Sequence, residues 1–469
     1  MKLSAAFAFT LAACGSSPES QPDAALNAED ARRDGSVDGL DAPVDAPGPR
    51  QPAACPQPPC TLRVSVASDG TQGNGISGDL PTISGDGLMV AFVATSSNLV
   101  MDDTNGEQDV FVRDLATDTT TRVSVGSAGQ ANAGSGAGWI TDDGRQVAFA
   151  SAASNLLAGD TNDASDVFVI DLATMAIERA SLTADDAQTG TGGGNGSSNL
   201  SADGRYVLFN SHATNVVPGD TNGNLDLFVR DRVAGTTVRV DGGTLPNGVT
   251  IAGQPSLDGA VVGFYSTASN VIANDANGNK YDVFLRTTAT GAITLISQST
   301  AGVQANESSW VPYLSADKRL VAFQSYATNL VANDTNGMND IFLRDLDAST
   351  TTLISRGMGG VPANGPSENP KLSADGRYIL FVSAASNLVP DDTNNARDAF
   401  LFDRMTDMTM RVSVGDQGQQ GNAHTYYASL SSSGNAVVFS SRASNLVTND
   451  TNGESDTFVR YLSSANVIE

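Results

Sequence analysis

Seven loops of this chain carry the sequence Asp-x-Asn-Gly-x-x-Asp or a close variant, and this spacing of oxygen atoms suits metal binding. Calcium takes roughly six to eight oxygen ligands, commonly from Asp and Asn side chains at alternate positions before a Gly that makes a sharp turn. Asp220, Asn222 and Asp226 around Gly223 match that spacing. The candidate calcium ligands of the six loops of equal length are Asp103, Asn105, Asp109, Asp160, Asn162, Asp166, Asp220, Asn222, Asp226, Asp334, Asn336, Asp340, Asp392, Asn394, Asp398, Asp450, Asn452 and Asp456.

The same loops have a purely structural interpretation, which we favour. Asp and Asn side chains cap turns, and an Asn-Gly pair readily adopts left-handed backbone. The motif resembles the later part of the calcium loops of integrin-type propellers, but Pro218 stands where their leading acidic ligand would be. Asp163 and Asn395 replace the Gly in two copies, and the loop that ends at Asp282 is one residue longer. Calcium binding therefore stays an alternative to capped turns.

Little else in the sequence suits catalysis. His212 and His424 are the two histidines, and they lie at non-equivalent positions of different repeats. A Gly-x-Ser-x-Gly nucleophile motif is absent from the sequence. Carboxylate pairs for glycoside hydrolysis are available, but acidic residues in seven equivalent loops indicate architecture, since catalysis needs one asymmetric site. We predict a non-catalytic protein and keep a polysaccharide-acting enzyme as the less favoured alternative.

The acidic loops recur because the chain from Thr61 onward repeats one unit. Each unit shows four strand signals. In order they are a short segment before an Asp-Gly turn (199–204), a strand such as 205–209, a strand such as 226–230, and a strand such as 121–125 or 410–414. Sustained helical periodicity is absent. The first Asp of the loop falls at Asp103, Asp160, Asp220, Asp275, Asp334, Asp392 and Asp450.

Four short antiparallel strands repeated seven times predict an all-β fold, a seven-bladed β-propeller of four-stranded antiparallel blades. The phase of the repeats predicts how the ring closes. Residues 62–66 match the fourth strand of a unit, whereas the last unit ends after its third strand, 458–461. We expect the N-terminal strand to join the last blade, which would also remove exposed sheet edges.

These units resemble the PD40 repeats of TolB-like propellers, a WD40-like class. The resemblance lies in the Leu-Ser-Ala-Asp-Gly-Arg turn at 200–205 and the Asp-Val-Phe-Val-Arg-Asp strand at 109–114, and it extends over 61–462. It implies a propeller in which the Asp that opens strand three recurs without a metal. TolB carries an extra N-terminal α/β domain and fewer blades, so a role in the Tol–Pal system is not implied. Some TolB-like propellers are polysaccharide lyases, but they use a histidine-rich metal site that two histidines cannot build.

The N-terminus carries the features of an export signal. Lys2 precedes an apolar stretch that ends in Leu-Ala-Ala-Cys14, and this resembles the lipobox of bacterial lipoproteins. The resemblance implies removal of residues 1–13 and acylation of Cys14; an ordinary secretory signal is the alternative. Residues 14–60 read as an Ala-, Asp- and Pro-rich tether. At its end we expect a disulfide between Cys55 and Cys60, because export leads to an oxidising compartment.

The net charge and the positions of the loops restrict the classes of partner that this protein could bind. The chain has 52 acidic and 26 basic residues, a net charge of −26, which disfavours nucleic acid as a partner. The acidic loops and the loops between units, which carry a Gln-x-Asn phrase as at Gln130 and Asn132, should emerge on one face. We predict a lipid-anchored envelope protein, at the outer membrane or cell surface, that binds a protein or glycan through this acidic face. A calcium-binding, adhesin-like propeller is the alternative.

Overall fold

The computed structural model describes residues 52–190, 196–241 and 245–462. Within these residues the chain forms seven four-stranded antiparallel sheets, so the predicted all-β, seven-bladed propeller is confirmed. The described residues belong to one compact unit spanning 49–469. The predicted signal peptide, Cys14 and most of the tether lie outside the described residues. Among the described residues, no helix is long and apolar enough to cross a membrane.

The strands of the seven blades follow one another along the chain. Blades 1 and 2 contain β2 (Thr82–Ile83), β3 (Met89–Ala94), β4 (Asp109–Asp114) and β5 (Thr119–Arg122), then β8 (Ser135–Ile140), β9 (Gln146–Ser151), β10 (Asp166–Asp171) and β11 (Ala176–Arg179). Blades 3 and 4 contain β12 (Gly196–Leu200), β13 (Tyr206–Ser211), β14 (Asp226–Asp231) and β15 (Thr236–Arg239), then β16 (Thr250–Pro255), β17 (Val261–Ser266), β18 (Asp282–Thr287) and β19 (Ile293–Leu295). Blades 5 and 6 contain β20 (Ser309–Leu314), β21 (Leu320–Ser325), β22 (Asp340–Asp345) and β23 (Thr350–Leu353), then β24 (Ser367–Leu372), β25 (Tyr378–Ser383), β26 (Asp398–Asp403) and β27 (Met408–Arg411). Blade 7 contains β28 (Thr425–Leu430), β29 (Ala436–Ser441), β30 (Asp456–Tyr461) and β1 (Cys60–Arg63). A two-stranded hairpin, β6 (Val125–Gly126) with β7 (Gly129–Gln130), and a short 3₁₀ turn, Met358–Gly360, complete the described elements.

Stacked phenylalanines occupy the middle of each blade. Phe111 of β4 lies directly opposite Phe92 of β3, with ring centroids 5.7 Å apart. The other blades repeat this pair, and the rings are buried. Apolar residues on both faces of each sheet then pack against the neighbouring blade; one core, for example, joins Val110 of blade 1 to Val147 of blade 2. The core is therefore distributed between blades, as radial repetition requires.

The fourth strand differs from the sequence prediction. It spans Thr119–Arg122 in blade 1 rather than 121–125, and the other blades show the same shift. Val123 and Ser124 look like strand residues because one is apolar and the next polar. In the structure Val123 is buried where the chain leaves the sheet, and Ser124 turns toward a buried carboxylate. A binary pattern cannot distinguish such a segment from a strand.

The N-terminal strand closes the ring, as predicted. It begins two residues earlier than expected, at Cys60, and pairs antiparallel with β30, with Leu62 opposite Val459. Arg63 at its end forms ion pairs with Asp450 and Asp456 of blade 7. A core containing residues of blades 7 and 1 completes the circle. Cys55 and Cys60 form a disulfide immediately before and within this strand.

Deletion of residues 60–63 from the full chain should destabilise the propeller at this seam. It removes the pairing with β30 and leaves the buried Asp450 and Asp456 without their arginine, a loss worth roughly 3–5 kcal/mol. The exposed edge of β30 should also promote aggregation. The matched control is the Cys55→Ser/Cys60→Ser double variant, which lacks the disulfide but keeps the strand. Thermal melting that is equal for the deletion and the control would contradict closure by β1.

Candidate functional site

Each third strand opens with a buried Asp that is held by hydrogen bonds. In blade 1 the Ser124 hydroxyl donates to Asp109 Oδ1 at 2.5 Å, and the Asn105 amide nitrogen donates to Asp109 Oδ2 at 3.3 Å. The same Asn nitrogen also donates to the Ala131 carbonyl in the loop that leads to blade 2. All seven blades repeat the two Asn contacts. The motif therefore connects its own loop to the next one.

An arginine and a glutamine contact both carboxylates of the motif in four blades. In blade 1 the Arg122 guanidinium lies 3.5 Å from Asp103 and 3.6 Å from Asp109, and Gln130 Nε2 donates to Asp103 at 2.8 Å. The equivalent pairs of cationic and amide groups are Arg179 with Gln188, Arg411 with Gln420, and Arg63 with Gln72. These side chains contact the same carboxylates that the alternative interpretation assigns to calcium.

In the six loops of equal length the Asn side-chain oxygen is already used, because it accepts a backbone N–H two residues later. In blade 1 Asn105 turns its nitrogen toward Asp109, while its Oδ1 accepts the Glu107 backbone N–H. Among the described residues, no group of three or more His, Cys, Asp or Glu side chains is arranged to hold a metal ion. The geometry thus favours capped, ion-paired turns over calcium loops. The loop Asp side chains of these blades are also buried, with Asp103 only 5% exposed, so they add little charge to the outer surface.

The loops between units, which carry the Gln-x-Asn phrase in four cases, connect one blade to the next. While Gln130 contacts blade 1, Asn132 accepts the Ser154 N–H and donates to the Ser154 hydroxyl of blade 2. Asn155 of that blade donates back to the Gln130 carbonyl. Equivalent clips are formed by Asn74, Asn247, Asn306, Asn364 and Asn422. The loops named in the sequence analysis as a candidate binding face are therefore an inter-blade network.

Blade 5 lacks both the arginine and the glutamine that contact the carboxylates in the four blades described above. Leu353 stands opposite Phe342 where other blades have the arginine, and Pro362 replaces the glutamine. Asp334 is 7% exposed, and its Oδ1 has no hydrogen-bond partner. Burial raises the pKa of Asp340 to about 6. The carboxylate pair of blade 5 is thus less well compensated than its counterparts.

Blades 3 and 4 keep only part of the arginine and glutamine network that surrounds the carboxylates in blades 1, 2, 6 and 7. Blade 4 has Leu295 at the arginine position but keeps Gln304, and burial raises the pKa of Asp282 to about 6. In blade 3 Arg239 pairs with Asp241 instead. There burial, together with the nearby Asp241, raises the pKa of Asp226 to about 7.

A different set of residues surrounds the axis of the propeller. A cavity of about 210 Å³ is lined by the first strands of the blades and by Tyr265. One residue of each blade lines it at the same place, five positions before the left-handed residue of the hairpin turn, such as Gly204. We call these residues the channel ring: Thr82, Trp139, Asn199, Gln254, Tyr313, Lys371 and Ser429. The seven residue types are all different.

A bulge in the first strand aims several of these side chains at the axis. The pairing of β20 with β21 shifts register between Trp310 and Tyr313, and β24 shifts between Glu368 and Lys371. Within the first bulge Val311 adopts φ 50°, which is strained for a β-branched residue. Bulges are commonly used to re-aim a side chain. Val311 also lines the cavity on the side of the inter-blade loops, so the cavity lies toward that face.

The free space near the axis is smaller toward the opposite face. A second cavity of about 50 Å³ lies there, lined by hairpin residues such as Asp142, Ala202 and Ser432. On the wider side, rings run from the cavity outward: Tyr265 contacts Tyr281, and Tyr281 stacks on Trp310 with centroids 6.2 Å apart. A small molecule would therefore enter from the loop face.

Lys371 is the basic residue that lines this cavity. Its ammonium lies 5.4 Å from the centre of the Trp139 ring and 4.9 Å from that of Tyr313. Burial lowers the pKa of Lys371 to about 8. The two histidines are elsewhere: His424 Nδ1 accepts the Arg397 N–H, and His212 is exposed after β13.

Sequence reasoning did not find the channel ring. The motifs that identify the repeats consist of residues that recur, whereas the channel ring has a different residue in every blade. The signal available in the sequence was this variability, counted five positions back from each hairpin turn. Recognising its meaning requires knowing that the first strand faces the axis.

Comparisons with known proteins relate the chain to other propellers at the level of fold. No protein-family profile matches it, and no curated protein matches it in sequence. An oligogalacturonate lyase from Vibrio parahaemolyticus is similar in structure (TM-score 0.53, 15% identity, covering 86% of this chain and 94% of that one). So is an oligogalacturonate lyase in complex with manganese (0.51, 14%, 87% and 98%). TolB from Acinetobacter baumannii is also similar (0.40, 14%, 65% of this chain), and the chain spans 59% of its length.

We expect that an arginine placed at position 353 of blade 5 would pair with the carboxylates there, as the equivalent arginine does in blade 6. Because the pKa of Asp340 is higher in the folded than in the unfolded chain, stability falls as pH rises from about 4 to about 6. Leu353→Arg should lower that pKa and reduce the fall, whereas Leu353→Gln, of similar length but uncharged, should not. Arg411→Leu in blade 6 should raise the pKa of Asp398 and steepen the loss of stability with rising pH. It should lower the free energy of unfolding by roughly 3–5 kcal/mol at neutral pH.

The measurement is thermal melting of the four proteins at pH 4.5 and 7.5. Identical pH dependence in Leu353→Arg and Leu353→Gln would show that the guanidinium does not reach the carboxylates.

Proposed function

We propose that this protein is a non-catalytic binding protein of the bacterial cell envelope, anchored through Cys14, and that its ligand enters the mouth of the central channel. The observation that supports this most is the channel ring, seven different residues at one equivalent position. Elsewhere the blades repeat nearly the same residues, as in the third strands at 109–114 and 226–231. A propeller fold is compatible with a binding or scaffold role.

Contacts between blades recur with the symmetry of the repeat, so they can be made by the same residues in each blade, as the Asp and Asn of the loop motif are. A single ligand on the axis touches all blades at once and is itself asymmetric, so each blade must supply a different group. The chemistry of the ring suits recognition, since aromatic walls with a few placed polar groups are typical of small-molecule sites.

This proposal revises the expected binding face. The loop carboxylates are largely buried and paired, so they support a structural role rather than contact with a partner. The channel mouth opens within the same face. If the ligand is a protein or a glycan, a part of it enters the cavity.

Thermal-shift measurements on the purified, detergent-solubilised protein test the proposal. A panel of sugars, amino acids, aromatic acids and nucleosides should contain compounds that raise the melting temperature, by mass action on the folded state. Trp139→Ala and Gln254→Ala should abolish those shifts. Met405→Ala, an exposed residue of a turn on the opposite face, is the control. Shifts that survive in both channel variants would refute binding in the channel.

The anchor is tested separately. Wild-type protein expressed in a bacterial host should partition into the detergent phase, because several acyl chains give stable membrane attachment. Cys14→Ser should release it to the soluble fraction, while the Cys55→Ser/Cys60→Ser variant should remain attached. A Cys14→Ser protein that stays in the membrane fraction would contradict lipidation of this residue.

One observation favours an enzyme as the second candidate. Lys371 has a pKa lowered to about 8, which suits a general base, and the similar folds include oligogalacturonate lyases. Incubation with polygalacturonate, followed by absorbance of an unsaturated product, would distinguish the two. Release of product that is lost in Lys371→Met would replace the binding proposal with catalysis.

A further inference from the structure

The charge of Lys371 is not balanced by any described residue. No carboxylate among residues 52–190, 196–241 and 245–462 lies within ion-pair distance of its ammonium, and its described contacts are the faces of Trp139 and Tyr313. Asp142, the acidic residue at the narrow end, is instead associated with Ser432. The Lys371 side chain is half-buried; partial removal of a charge from water without a partner still costs free energy, and such residues are found where they have a task.

The groups around the ammonium restrict what could balance it. Two aromatic rings flank it, and Tyr427 adds a third ring to the cavity wall. Ser429 brings a hydroxyl and Asn199 a side-chain carbonyl oxygen to the ring. The Thr82 hydroxyl and the Asn199 amide nitrogen, by contrast, are already used, since they donate to the Gly138 and Gly253 carbonyls. The site thus combines one cation, flat apolar walls and a few neutral polar groups.

We propose that the channel mouth binds a small organic monocarboxylate whose ring-shaped body lies between the aromatic side chains and whose carboxylate pairs with Lys371. This inference rests on the proposed binding function and specifies the class of ligand. The cavity of about 210 Å³ is smaller than sites for drug-sized molecules, which begin at roughly 300 Å³. It therefore suits a single ring with its substituents.

Charge favours a monoanion over a phosphate. Phosphate recognition commonly uses several donors or bidentate arginine, whereas one lysine lines this cavity. The protein carries a net charge of −26, so a dianion would meet stronger repulsion than a monoanion. A carboxylate matches one ammonium in charge.

The class of ligand is tested with pairs of probes in which a carboxylate is replaced by a neutral hydroxymethyl group. Isothermal titration would compare glucuronate with glucose, benzoate with benzyl alcohol, and inorganic phosphate with both acids. We expect at least one acid to bind about tenfold or more tightly than its neutral partner, because a charge-assisted hydrogen bond is gained. Lys371→Met should remove that preference, and Lys280→Met, which lies in a surface ion pair with Glu307, should keep it.

A second readout excludes a merely structural lysine. If Lys371 serves a ligand, then without ligand Lys371→Met should melt at or above the wild-type temperature, since an uncompensated, half-buried charge is removed. A lower melting temperature would indicate that the ammonium mainly stabilises the two rings, and would overturn the inference.

The remaining outcomes separate this inference from the proposed function. Neutral probes that bind as well as the acids, with binding lost in Trp139→Ala, would overturn the monocarboxylate and leave channel binding intact. Phosphate that binds more tightly than both acids would overturn the assignment to carboxylate. Absence of binding by both acids would also overturn it, whatever other compounds bind.

Discussion

The buried carboxylate that opens each third strand is the constraint on which the propeller depends. Removed from water, it must be satisfied by the protein. Its partners come from three separate segments: its own loop, the end of the fourth strand, and the loop leading to the next blade. In blade 6 these are Asn394, Ser413 and Gln420 around Asp398, with Arg411 beside them. Satisfying one carboxylate thus fixes three segments, which explains why the motif recurs with so little change.

The same network explains what could be predicted from sequence. Repeat length, the alternation of the third strand and the phase of the two chain ends depend on local pattern, and they predicted the blades and ring closure correctly. The partner of the loop carboxylates could not be found this way. Arg122 lies on another strand, and only the register opposite Phe111 brings it to Asp103. Spacing alone therefore left calcium as an alternative to capped turns, and it gave no sign of the guanidinium that the fold brings to these carboxylates.

Departures from the repeat have two different meanings in this protein. In blade 5, Leu353 and Pro362 stand where blades 1, 2, 6 and 7 have the arginine and the glutamine that contact the two carboxylates, although Asp340 keeps Ser355 and Asn336. Lys371 is uncompensated as well, but it faces a cavity, beside a strained Val311 and two aromatic rings. A defect in the frame lowers stability only, while an unbalanced group in a cavity leaves room for a ligand. Variation in the ring is for that reason the observation on which the proposed binding function rests.

Thermal melting of Asp398→Asn beside the parent, both in excess chelator, tests most directly whether the repeated carboxylates are structural. The variant keeps the shape of the side chain but removes the charge that faces Arg411. If the internal network holds the blades, its melting temperature should lie well below that of the parent without any metal, because the buried Arg411 guanidinium loses one of its two carboxylate partners. Two curves that coincide in chelator and separate only when calcium is added would contradict the account.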